Sequence, residues 1–139
     1  GAWRIVGEEY TAPSEDLGAE CLQAKSEEAR RLLDGWLAAW RKADLKGYLS
    51  YYDVRAEQGK TRGREAIGDF KKSIWQSKPP AEVKVDSVEF SLHAQGLAAR
   101  FVQTYRDASG YSDRGVKTLV LAPEDGGWKI VSEDWRALQ

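Results

Sequence analysis

Three short strings between Ala98 and Trp135 limit what this chain can fold into more than anything else in it. They are Phe101-Val102-Gln103-Thr104-Tyr105, Lys117-Thr118-Leu119-Val120-Leu121 and Gly127-Trp128-Lys129-Ile130-Val131. Each is β-branched and aromatic, alternates apolar with polar, and is bounded by Gly, Asp, Ser or Pro. That pattern predicts successive antiparallel strands, each with one buried face. Ahead of them, Glu82 to Leu92 reads as a further long strand. Its apolar phase changes between Val83, Val85 and Val88, Phe90, Leu92, which predicts a bulge near Asp86-Ser87.

Upstream the spacing becomes helical. Ser26 reads as an N-cap, with Glu27 and Glu28 in a first turn where carboxylates suit the helix dipole. Ala29, Leu32, Leu33, Trp36, Ala39, Trp40 and Ala43 then form one apolar stripe, the signature of a long core helix. Asp44 caps a short second helix with Leu45, Tyr48, Leu49 and Tyr52 inward, and Asp53 to Arg62 reads as a loop or short strand. Gly63 to Trp75 reads as a third helix with Ile67, Phe70 and Ile74 on its apolar face, stopped by Pro79-Pro80. Helices first and a meander afterwards predict an α+β fold, three N-terminal helices packed on a curved antiparallel sheet.

Residues 1–25 read as an N-terminal segment and linker, and 26–139 as the domain. Trp3-Arg4-Ile5-Val6-Gly7-Glu8-Glu9-Tyr10 repeats the pattern of Trp128-Lys129-Ile130-Val131-Ser132-Glu133-Asp134-Trp135 without a gap. The repeat suggests the last strand of a preceding copy, with coincidence between two amphipathic strands as the alternative. Pro13 marks Ala12 to Ser14 as linker, and the absence of Met, with Gly1 first, suggests an excised piece.

With 139 residues the chain fits one domain that needs no disulfide, and Cys21, the single cysteine, allows neither an intrachain disulfide nor a cysteine-based zinc site. Lys and Arg number 21 against 22 Asp and Glu, so no global field draws the chain to nucleic acid. Arg62, Arg64, Lys71 and Lys72 make a modest basic face, but Glu65 and Asp69 interrupt it, as on a solvated helix surface. No apolar run approaches the roughly 20 residues of a membrane span, which predicts no membrane insertion. No Gly-rich phosphate loop, EF-hand pattern or thiol pair points to a cofactor or metal. His93 is the only histidine and reads as an exposed turn residue.

The order of long helix, short helix, helix and curved meander ending in Trp-Lys-Ile resembles the nuclear transport factor 2-like superfamily, which includes ketosteroid isomerase and polyketide cyclase relatives. Over about residues 26–136 it is most similar to the accessory domain of bacterial L,D-transpeptidase and L,D-carboxypeptidase cell-shape proteins. The carrying strings are Trp36-Leu37-Ala38-Ala39-Trp40 with Asp44 and Tyr48 to Tyr52, Arg100 to Tyr105, Lys117-Thr118-Leu119, and Gly127-Trp128-Lys129-Ile130 with Glu133. No transpeptidase motif of Cys and His is present. The resemblance therefore implies a companion to a catalytic module, periplasmic or otherwise exported, serving recognition, folding support or dimerisation.

In such a cone, alternation places Ala99, Phe101, Gln103 and Tyr105 on one strand face and Lys117, Leu119 and Leu121 on the next. Gln103, Tyr105 and Lys117 then converge among apolar neighbours, with Glu133 or Asp53 as the carboxylate a buried lysine needs. Such a cluster suits a ligand bearing carboxylate or amide groups, such as a peptide stem; a structural polar network or a solvent-facing strand side is the alternative. Tyr48, Tyr52 and Trp75 join the candidate ligand contacts, while Trp36, Trp40 and Trp128 read as core and Tyr51 and Trp135 stand between the two roles. For isomerase-like chemistry, Asp53 would be the base and Tyr105 the oxyanion donor. Three functions follow: an accessory domain binding peptidoglycan fragments beside a linked catalytic or repeat domain; a lyase, isomerase or hydrolase of a small molecule; and a structural homodimer.

Overall fold

The computed structural model describes residues 11–124 and 127–138. In chain order it contains α1 (Thr11–Arg41), α2 (Leu45–Leu49), β1 (Tyr52–Gln58), β2 (Thr61–Arg62), α3 (Arg64–Ser77), β3 (Pro80–His93), β4 (Gly96–Asp107), β5 (Ser112–Glu124) and β6 (Gly127–Ala137). The α+β layering is as expected, and the sheet extends beyond a meander. Its strand order is β2-β1-β6-β5-β4-β3, and β1 lies parallel to β6. The sheet is therefore mixed rather than wholly antiparallel. The segment Asp53 to Arg62 supplies two of its strands.

The first helix is longer than the stripe predicts. It begins at Thr11, so Ser26 is not a cap, and Ala12 to Ser14 and Cys21 are helical rather than linker. Pro13 is tolerated because the first turn of a helix needs no amide donor there. The segment Trp3 to Tyr10, with its suggested repeat, lies outside the described residues. From Ala29 the predicted stripe is buried, with Trp36 and Leu33 at its centre. The helix ends at Arg41, and two residues on, the φ of 52° at Ala43 lets Asp44 N reach Ala39 O and Ala43 N reach Trp40 O, both at 2.9 Å. Asp44 then caps α2 by accepting the Gly47 amide.

Helix α1 lies across the inner face of β3, β4 and β6, while α3 packs on β1. Alternation along β4 and β5 sends Leu97, Ala99, Phe101 and Gln103, and Lys117, Leu119 and Leu121, towards α1. The bulge expected in β3 falls between Asp86 and Glu89, with Ser87 at φ 57°. A second bulge was not foreseen. Val120 and Leu121 are consecutive on β5 but pair with Ser132 and Ile130, which leaves Val131 of β6 without a partner. The extra residue puts Ile130 and Glu133, at odd spacing, on the same inner face.

Two aromatic assignments change. Phe70 is half exposed, because the inward stripe of α3 is Ile67, Lys71, Ile74 and Trp75 and leaves Phe70 at its border. Trp128 is only half buried, its indole N–H donating to Glu28 at 2.7 Å.

Candidate functional site

Where β4, β5 and β6 curl around Trp36 and Trp40, a polar network is sealed into the core. Lys117 Nζ lies 2.6 Å from Glu133 Oε2, with both side chains almost wholly buried. The Tyr52 hydroxyl donates to Glu133 Oε1 at 2.5 Å and lies 2.8 Å from the Tyr48 hydroxyl. Trp36 Nε1 donates to Tyr52 at 3.0 Å, and Gln58 Nε2 reaches Tyr48 at 2.9 Å and Glu133 at 3.1 Å. The Lys117 ammonium also stands 4.7 Å from the Trp40 ring centre. A buried ion pair is tolerable only with its remaining lone pairs satisfied, and here both Glu133 oxygens are engaged.

The electrostatics follow from this arrangement. Burial pushes the Glu133 carboxyl up, but the ammonium groups of Lys117 and Lys71, with the bonds from Lys117 and Tyr52, together hold it below the ordinary value. Burial, reinforced by the Glu133 charge, raises Tyr48 and Tyr52 well above the usual phenol range, so both stay neutral.

Above this network opens a cavity of about 380 Å³, lined on its inner part by Trp40, Lys71, Trp75, Gln103, Tyr105 and Lys117. Tyr105 stacks on Trp40 with ring centres 5.6 Å apart. At the mouth stand Tyr111, Asp113 and Trp135, with Asp107 buried beside them. Gln103 is 4% exposed, and its Oε1 has no hydrogen-bond partner among the described residues; nor has Trp40 Nε1. Lys71 has no carboxylate in salt-bridge range among the described residues, and its ammonium lies 5.6 Å from the Trp40 ring centre. Burial lowers its pKa to about 8, against an upward pull from Glu133.

The structure thus brings Gln103, Tyr105, Lys117 and Trp75 to the cavity wall. It places Tyr48, Tyr52 and Glu133 behind Lys117, where the two tyrosines are fully buried and cannot touch a ligand. Asp53 is elsewhere. It follows Tyr52 on β1, and since Tyr52 points inward, its neighbour must point outward. A hydrogen bond shared with Glu124 and the Arg55 amide at 2.8 Å keep its carboxyl below the ordinary value, which rules it out as a pocket base of raised pKa. His93 is exposed, as expected. Gln58 and Lys71 were missed by the sequence. For Lys71 the signal was there, in the i, i+4, i+8 spacing of Ile67, Lys71 and Trp75. No group of His, Cys, Asp or Glu able to hold a metal occurs among the described residues, and no helix among them is long and apolar enough to cross a membrane.

A family model described as the Cds6 C-terminal NTF2-like domain matches residues 28–134. The chain belongs to this family. The matched span of this Cds6 C-terminal NTF2-like domain holds the whole buried network and nearly all of the cavity wall, with Trp135 just beyond it. No curated protein matches the chain. Among solved structures, Bd1075 of Bdellovibrio bacteriovorus superposes with a TM-score of 0.72 at 21% identity, over 81% of this chain and 41% of that one. The NTF2-like domain thus spans less than half the length of that protein. An NTF2-like protein of unknown function from Pseudomonas putida gives a TM-score of 0.68 at 18% identity, over 84% of this chain and 94% of that one. ActVI-ORFA of Streptomyces coelicolor gives 0.67 at 13% identity, over 81% and 93%. At such identities the likeness is one of fold.

Proposed function

We propose that this NTF2-like domain is a non-catalytic ligand-binding module that accompanies a peptidoglycan-modifying enzyme of the L,D-transpeptidase type in an exported protein, and that its cavity takes peptidoglycan fragments. The observation that carries the binding reading is the imbalance at the cavity floor. Two ammonium groups, Lys71 and Lys117, face one carboxylate, which Lys117 already occupies. Lys71 is left over an aromatic wall with its charge uncompensated, and a ligand carboxylate would complete it. Gln103 offers an unmatched amide oxygen beside it. The linked enzyme and the exported location rest on the sequence resemblance alone.

Catalysis is the second reading, and the geometry moves it from Asp53 to Lys71. An amine with a pKa near 8 facing a cavity is a serviceable base. Against it, Glu133 and Asp107 are both held below the ordinary carboxylate value by their neighbours, so neither supplies a carboxylic acid of raised pKa as its partner.

Trp40, Trp75 and Trp135 line the cavity, so ligand entry should alter tryptophan emission. Titration with purified muropeptides is expected to give a saturable change that Lys71→Met weakens about tenfold, the loss of one partly buried charge-assisted contact. An unchanged spectrum at millimolar muropeptide would remove the peptidoglycan reading.

A further inference from the structure

The cavity is polarised along its length. Asp113, Gly115 and Lys117 alternate on the inner face of β5, so an anionic side chain at the mouth and a cationic one at the floor share one wall. Four residue steps of strand separate them, about 13 Å between Cα atoms, and Lys71 shares the floor with Lys117 over the Trp40 ring. At Gly115 the space a side chain would take is filled by the Trp135 indole, which paves the lane between them. A Cβ there would stand 2.6 Å from the Trp135 indole, which lies across the strand at this point. Directly opposite Gly115 in the ladder is Gln103, whose buried Oε1 has no partner.

The mouth has its own inventory. Asp113 accepts the Tyr111 hydroxyl through Oδ2 at 2.8 Å, while its buried Oδ1 has no partner among the described residues. Asp107 is committed, since one of its oxygens accepts the Ser109 amide, the Ser109 hydroxyl and the Tyr111 amide. Lys78, also at the mouth, acts electrostatically on Asp107. Asp113 is thus the half-buried carboxylate on the inner face of β5 whose buried Oδ1 has no partner among the described residues.

Building on the binding reading above, we propose that the ligand is a zwitterionic short peptide lying over the Trp135 indole, in the direction of β5. Its carboxylate meets Lys71, a backbone N–H meets Gln103 Oε1, and its free amino group sits at Asp113. A single amino acid is too short for this lane, because its two charged groups are separated by only one Cα. Side chains reaching in from both ends shorten the span, and a chain of two or three residues, about 7–11 Å when extended, covers the remainder. Tyr105 would flank it.

The test uses the whole chain, ¹⁵N-labelled, with tri-alanine, N-acetylated tri-alanine and tri-alanine amide as probes at millimolar concentration. Free tri-alanine is expected to shift the amides of Gln103, Gly115 and Lys117, and capping either end should weaken it about tenfold, one lost charge contact. Asp113→Asn, which keeps an acceptor for Tyr111, should erase the preference for free over acetylated peptide and leave the preference over the amide intact. Equal binding of free and acetylated peptide, an unchanged ratio in the variant, or no shift with any probe would each overturn the proposal. The parent reading fails separately: muropeptides that bind regardless of a blocked amine would leave it standing without this subsite, and tri-alanine behaving as described while muropeptides do not bind would leave the subsite without peptidoglycan.

Discussion

At Glu133 both carboxylate oxygens are taken, one by the Lys117 ammonium and one by the Tyr52 hydroxyl and the Gln58 amide. Glu133→Gln would strand the Lys117 charge in the core, so a loss of about 3–5 kcal/mol in urea unfolding is expected. Lys117→Met with Glu133→Gln removes both charges and should recover most of it; a double variant no better than the single one would show that the pair is not the unit. The pair also sets the acid limb. Since the folded Glu133 pKa lies below its unfolded value, this contribution is present above the unfolded value and disappears as pH falls through the folded one. Lys71 works in the opposite sense. It titrates at about 8 in the fold against 10.5 ordinarily, so the unfolded chain holds the extra proton between them and stability rises with pH through that window. Carboxylate binding should fall through the same window as the ammonium facing Glu133, Lys117 and Tyr48 is lost. Urea midpoints and muropeptide affinities on either side of about 8 check both slopes, and Lys71→Met should flatten them. The pairing of Lys117 with Glu133 was legible because a lysine inside a strand's apolar phase needs a carboxylate. For Lys71 the spacing with Ile67 and Trp75 carries the signal, but charge on a helix surface is ordinarily solvated and Phe70 competes for the same apolar stripe, which masks it.

The element that decides the site is β6, and within it Val131. The unpaired residue restores Glu133 to the inner face, where strict alternation from Ile130 would have turned it outward. Deleting Val131 should therefore cost at least as much as Glu133→Gln, because the ion pair and the pairing of β6 are lost together. Val131→Ala keeps the residue count and should cost no more than about 1 kcal/mol, an ordinary small loss for a half-buried side chain. Comparing the two by urea denaturation separates backbone register from side-chain packing. The bulge in β3 was readable because its apolar phase visibly changes. The one in β6 falls inside a run where Ile130 and Val131 are both apolar, so the sequence showed no break. The start of α1 was unreadable for a related reason: residues 11–25 carry no apolar stripe, and a proline near a helix start looks like a linker until the helix is seen.

Across the whole molecule, β4 and β5 each have paired strands on both sides, and their inner faces carry Phe101 and Leu119, each no more than 1% exposed. Amide hydrogen exchange should accordingly be slowest at Phe101, Leu119 and their neighbours and fast in the two-residue β2 at the sheet edge. Uniform protection from β2 to β5 would contradict this ranking. The succession of helical and alternating segments was enough to read the α+β class, since periodicity is local. The parallel alignment of β1 with β6 joins residues some eighty positions apart, and nothing local encodes it. That alignment governs when the domain can mature during synthesis. Tyr52 and Gln58 leave the ribosome early, yet their common acceptor is carried on the strand translated after every other one described. A nascent chain stalled before that strand emerges would have neither a closed chamber nor a counter-charge for Lys117, so it should still depend on chaperones and be open to proteases.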